Sequence, residues 1–256
     1  MATYKIYRSE IYSLFKKNID FLFENRDCQE ELNCALNMNI ILLTACYLEG
    51  LLERKAKCVL GYHRSIYKNI SMPDLAFRRP MNIFYNRVTS GLKRKIAQTS
   101  GIDSYDNLFE VLLGTSMKND EAIKPLIEPI KVLFQLRNVI AHGREINAYE
   151  VSAYWTNGLD REYFEGGYKK AEDLLIKNKL LDKKYIQQQG VSLFFTNQVT
   201  DYFYNNTIEF IAQMDSFLSK NLEIPNKIHK DVSAYNETYG TEYDLMEYFE
   251  MQGSIV

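Results

Sequence analysis

The chain of 256 residues is 46% hydrophobic and 25% charged, ordinary globular usage that supports one large core or two smaller ones. A formal net charge of −2 excludes the whole molecule as an electrostatic attractor of nucleic acid, so any such attraction must be local. Four cysteines without a C-x-x-C pair (Cys28, Cys34, Cys46 and Cys58) and three scattered histidines (His63, His142 and His229) lack the spacing of a structural zinc site; thiols in a reducing compartment are expected, with no metal and no other cofactor.

The start, Met1-Ala2-Thr3-Tyr4-Lys5, opens no apolar signal segment. From Ser9 to Glu24 the residues Ile11, Leu14, Phe15, Ile19 and Leu22 recur at helical spacing. A long helix is predicted from about Gln29 to Leu60, with a buried stripe of Leu32, Leu36, Leu43, Tyr47 and Leu51. Its apolar run, Ile40 to Leu48, is interrupted by Thr44 and stopped by Glu49. That is short of the ~20 residues of a membrane span, so a cytoplasmic protein without membrane association is expected.

Gly61, Ser71-Met72-Pro73-Asp74 and Pro80 mark a connecting region. Helical patterning resumes from Ile83 to Ala97, stops at Ser100-Gly101, and returns from Asp103 to Leu113. Pro125 and Pro129 suit the start of the next helix, where a missing N–H is not needed. Ile130, Leu133, Phe134 and Ile140 continue it, and Gly143 offers a C-terminal stop.

Residues 144–190 change character, with turn signals at Asn157-Gly158 and Gly166-Gly167. Ile146 to Thr156 suggests a short strand and Tyr168 to Leu181 a small helix. The stretch reads as an insertion in a single helical domain spanning 1–256. The last strong helix covers Phe195 to Lys220, with Val199, Phe203, Ile208, Phe210, Ile211 and Phe217 as core candidates, and Pro225 closes it.

Two blocks of one charge sign stand out. Between Asp74 and Asp103 lie Arg78, Arg79, Arg87, Lys93, Arg94 and Lys95, with no acidic residue among them. From Asp231 to the end lie Asp231, Glu237, Glu242, Asp244, Glu247 and Glu250, with no basic residue. Each block reads in two ways. The plain reading is a solvated face; the functional one is an RNA-binding surface and an acidic tail, 231–256, able to cover it.

The segment Arg137-Asn138-Val139-Ile140-Ala141-His142-Gly143 carries the sharpest chemistry. Histidine serves as acid or base near neutral pH, and arginine presents a fork of donors that matches phosphate oxygens. RNA cleaves when its 2′-OH attacks the adjacent phosphate, a step that needs proton transfer and positive charge. On an ideal helix Arg137 and His142 stand roughly 140° apart, whereas Asn138 and His142 share a face, so Asn138 is expected to orient His142. Glu49, flanked by apolar residues, needs a partner if buried, and Arg137 or His142 is a candidate for it. The plain alternatives are a solvent-facing Glu49, and an Arg137 and His142 that simply satisfy the helix end.

Arg137-Asn138 followed by His142, in an all-helical setting, resembles the HEPN superfamily of helical bundles. The resemblance implies an all-α bundle whose core runs from about Gln29 to Lys220, with a small, partly irregular insertion that includes β structure. It implies catalysis without metal by Arg137, Asn138 and His142; Glu49, read from its apolar flanks and not from the resemblance, is a candidate supporting group. It further implies a homodimer whose two motifs meet, RNA as substrate, and an antitoxin or defence-system protein as partner. One family variant has Tyr two residues after the His; here that position is Arg144, a departure from the nucleotidyltransferase-paired form. The alternative is a non-catalytic module of the same fold that binds RNA or protein.

Overall fold

Glu30 and Glu31 open a helix of 40 residues, where negative side chains complement the exposed N–H groups of a first turn. In the computed structural model this helix is the longest of nine among the described residues, which are 11–26, 30–69, 75–142, 148–151, 161–164, 168–181, 190–223 and 226–254. The order is α1 (Ile11–Glu24), α2 (Glu30–Asn69), α3 (Leu75–Gln98), α4 (Ile102–Leu113), α5 (Ile127–His142), β1 (Ala148–Val151), β2 (Arg161–Phe164), α6 (Tyr168–Lys177), α7 (Asn197–Asn221), α8 (Asn226–Tyr239) and α9 (Leu245–Ser254). Single-turn 3-10 helices, Met117–Asn119 and Lys124–Leu126, lead into α5. The fold is an all-α bundle with a β hairpin between α5 and α6.

The helices follow their predicted ranges closely, with two corrections. α2 does not stop at Gly61 but runs on to Asn69. Val59, Leu60, Gly61 and Ser65 are all buried, and that packing outweighs the ~1 kcal/mol a mid-helix glycine costs. α3 begins at Leu75, so Pro80 is its sixth residue rather than part of a connection; it removes one main-chain hydrogen bond near the helix start. Gly143 and Pro225, read as helix stops, lie outside the described residues, as does Cys28.

The chain's contacts group into two compact units, each built from two separate stretches. The first comprises Met1–Leu48 with Pro125–Ile211, the second Glu49–Lys124 with Ala212–Val256, so α2 and α7 each contribute to both.

In the first unit the start of α2 is tied to the start of α7. Asn197 Oδ1 accepts from Asn37 Nδ2 at 2.8 Å and from Asn33 Nδ2 at 3.1 Å. Arg26 grips Asp201 with both guanidinium ends, and Phe23 packs edge-on to Tyr204 with centroids 4.9 Å apart. Thr196 caps α7 by accepting from the Val199 N–H. The hairpin pairs antiparallel, Ala148 opposite Phe164 and Val151 opposite Arg161, and α6 packs on β2 and on α5.

In the second unit the acidic C-terminal stretch is structural, two helices rather than a tail. Ile228 and Val232 of α8 and Phe249 of α9 form a buried cluster with Cys58 of α2, flanked by Tyr62, Ile66, Leu245, Met246 and Tyr248. Glu250 accepts from Arg54 Nε at 2.7 Å. Asp244 and Glu247 cap α9 reciprocally, each carboxylate accepting the other residue's N–H, at 2.8 and 3.0 Å. Asn236 pins the turn into α9 by bonding both the N–H and the carbonyl of Tyr243, and Gly240 takes φ 62° there.

Several residues at apolar helical spacing, two of them (Leu32 and Ile208) predicted to be buried, face outward. Ile11, Leu14, Leu32 and Ile208 are 60%, 54%, 53% and 38% exposed. α2 buries Ile40, Ile41, Thr44, Ala45, Leu48, Leu52 and Ala56, a stripe rotated from the predicted one. Between Ile40 and Leu48 α2 is apolar on most sides, so spacing alone does not select the face there. Glu30–Tyr67 also meets the length and mean hydropathy of a membrane-crossing helix, at 1.5. Its buried stripe is equally what the core helix of a folded protein shows.

Candidate functional site

The Arg137–His142 segment closes α5, a helix anchored by burial of Ile130, Leu133, Phe134, Leu136 and Val139. Pro129 sits in its first turn, as predicted. The helix runs unbroken through His142, so the ~140° separation of Arg137 and His142 holds. Within one chain the two side chains do not share a face.

Arg137 is half-buried. Its guanidinium lies over the Phe134 ring, 5.1 Å from the centroid, a cation–π arrangement that fixes the guanidinium plane. Its Nε donates to Asn138 Oδ1 at 3.1 Å. That contact corrects the expectation for Asn138, whose carbonyl oxygen positions Arg137 and not His142. An adjacent guanidinium offers a charged donor, which makes the stronger kind of hydrogen bond. Asn138 and His142 are both exposed, and His142 is the last residue of α5.

Glu49 belongs to the second unit, whereas Arg137 and His142 belong to the first. Its Oε1 accepts from Ser100 Oγ at 2.7 Å, and its main-chain oxygen accepts from the Tyr105 hydroxyl at 3.4 Å. A hydroxyl from the α3–α4 turn thus meets the half-buried carboxylate. No sequence signal announces it, because Ser100-Gly101 reads only as a helix stop.

The basic block lies on α3. Arg87, Arg94 and Lys95 are exposed and Lys93 is half-buried; the side chains of Arg78 and Arg79 lie outside the described residues. α3 turns Tyr85, Thr89, Leu92 and Ile96 inward, which leaves a feature the charge count missed. Met81, Ile83, Phe84 and Val88 are 41%, 46%, 62% and 40% exposed on the same outer surface as the arginines. A helical wheel drawn from the inward residues would have shown it.

Elsewhere in the first unit a cleft of about 390 Å³ is lined by Asn33, Cys34, Ser192, Phe195, Thr196 and Asn197, among others. Burial raises the Cys34 thiol above its ordinary pKa, which keeps it a poor nucleophile. Cys34, Cys46 and Cys58 are not in disulfides. Among the described residues no three His, Cys, Asp or Glu side chains gather as a metal-ligand set. Comparison with protein-family models, with curated proteins and with solved structures gives no match to this chain.

Proposed function

We propose that the chain is an endoribonuclease that cleaves RNA by 2′-OH attack without a metal ion, acting in the cytoplasm in a toxin–antitoxin or anti-phage setting. The observation that carries this reading is the split geometry of α5. An arginine is held on an aromatic ring by its neighbour, an exposed histidine ends the same helix, and the two stand on different sides. One chain offers phosphate binding and proton transfer in different directions, so a working site takes Arg137 from one protomer and His142 from its partner about a two-fold axis. His142 moves the proton at the 2′-oxygen or at the leaving 5′-oxygen. Arg137 neutralises charge on the phosphate.

The test is incubation with RNA in excess EDTA, scoring 2′,3′-cyclic phosphate ends. His142→Ala and Arg137→Ala each lower the rate by ~10²–10⁴-fold. An equal mixture of the two inactive variants regains roughly a quarter of wild-type activity, since half the dimers are mixed and one of their two sites is intact. Full activity in either single variant, or a need for divalent ions, refutes the reading. A second reading is favoured by Asn138, whose side chain bonds Arg137: a non-catalytic module of the same fold that binds RNA or protein. Retention of RNA without cleavage, lost in Arg137→Ala, is its signature.

A further inference from the structure

We infer that the outer surface of α3 docks the acidic α8–α9 hairpin of a second copy of this chain. This does not rest on the ribonuclease reading, because association is measured without RNA.

α3 presents two adjoining strips. Met81, Phe84 and Val88, spaced three and four residues apart, form an exposed apolar strip. Arg87 and Arg94, two turns apart, form a basic strip beside it, and Lys95 sits within reach of both. Among the described residues Arg87, Arg94 and Lys95 make no ion pair. Gly91, exposed between the strips, would place a Cβ in open space; at mid-helix it costs ~1 kcal/mol against alanine and opens the main chain to close approach. Exposed aromatic and aliphatic groups flanked by arginine are the make-up of a protein interface. A phosphate backbone has no use for Val88, Ile83 and Met81.

The occupant is set by charge. α3 has six basic residues and no acidic one, while the stretch from Asp231 onward has six acidic residues and no basic one. Glu237 and Glu242 are exposed on the α8–α9 hairpin, beside Tyr239, which is 59% exposed. The hairpin therefore offers carboxylates for the arginines and a ring for Phe84. Asp244 and Glu250, by contrast, serve their own fold, as cap and as partner of Arg54. A two-fold arrangement makes each contact twice, doubling the buried area.

The experiment is analytical ultracentrifugation of the full chain at low and high salt. Wild type is expected to associate at micromolar concentration and to loosen as salt screens the pairs. Arg87→Glu with Arg94→Glu is expected to raise the dissociation constant at least ~10-fold, and Glu237→Lys with Glu242→Lys to do the same, since like charges then face each other. All four positions are exposed, so melting temperatures stay unchanged. Mixing the two variant proteins brings opposite charges together at both contacts, one wild-type and one reversed, and restores association. Phe84→Ser weakens it at constant charge. Four outcomes overturn the inference: a wild type that stays monomeric at ~100 µM in low salt, association indifferent to either reversal, variants that do not recover on mixing, or an α3 reversal that abolishes retention of an RNA oligomer while association is untouched. The last would make α3 an RNA surface.

Discussion

Replacing Phe249 with alanine is expected to unfold the second unit at a much lower temperature. The ring is wholly buried among Cys58, Ile228 and Val232, with Tyr62 and Tyr248 at centroid distances of 5.6 and 6.2 Å. Truncating a buried phenylalanine loses its transfer free energy and leaves a cavity, together ~3–5 kcal/mol. At this chain length each kcal/mol moves the melting temperature by ~2–4 °C, so the expected drop is roughly 6–20 °C, read by thermal denaturation followed by circular dichroism. Tyr239→Ala, at a 59% exposed position of the same hairpin, is the control and should shift stability by no more than ~0.5 kcal/mol. Truncation after Lys230 follows the same arithmetic. It removes the buried Val232, Phe249 and Met251 at ~1.5–3 kcal/mol each, comparable with the ~5–15 kcal/mol that holds a typical protein folded. A Phe249→Ala protein that melts within ~2 °C of wild type would refute the cluster as a core and return the C-terminal stretch to the status of a tail.

Tyr85→Phe should be neutral or stabilising by up to ~1 kcal/mol at pH 7, because the Tyr85 hydroxyl is buried without a partner and its stack on Tyr67, with ring centroids 3.8 Å apart, survives the change. Burial also pushes the Tyr85 phenol up to about 12. The unfolded chain releases that proton near 10, so wild-type stability falls between pH 10 and 12, and the gap to Tyr85→Phe should widen there in melting curves. Asp106→Asn is expected to cost ~1.5–3 kcal/mol by urea titration. The buried carboxylate accepts from Ser116 Oγ at 2.8 and 2.9 Å and pairs with Lys118 Nζ at 3.1 Å, while an amide would turn a donor toward one of them. A wild-type midpoint in that variant would show the α4 anchor to be unimportant.

Helix existence was legible because caps and periodicity are local. Pro129 in a first turn and the spacing of Ile130, Leu133 and Phe134 each act within a turn or two. Which side of a helix is buried was less so. Ile11, Leu14 and Leu32 satisfy helical spacing yet face outward, because the partner surface that selects a face comes from a distant part of the chain. The charge block on α3 was visible as a count, but its apolar neighbours became surface features only once Tyr85, Thr89 and Ile96 were seen to point inward. At the motif the sequence located Arg137 and His142 on one helix and foresaw their angular separation. It misassigned Asn138 because spacing weighs a one-turn neighbour, and the structure prefers the charged donor next door. Glu49 found a serine 51 residues away, a pairing no local pattern announces.

The division of α2 and α7 between two units has a consequence during synthesis. The stretch 49–124 cannot complete its unit until residues 212–256 are made, a wait of roughly 7–26 s at ~5–20 residues per second. Meanwhile Leu52, Ala56 and Val59, buried in the finished protein, have no C-terminal helices to meet. A nascent chain of this kind presents apolar helix surface to the ribosome exit and to whatever chaperone waits there. The same connectivity means that a stop codon after Ile211 keeps both stretches of the first unit but leaves 49–124 without the rest of the second.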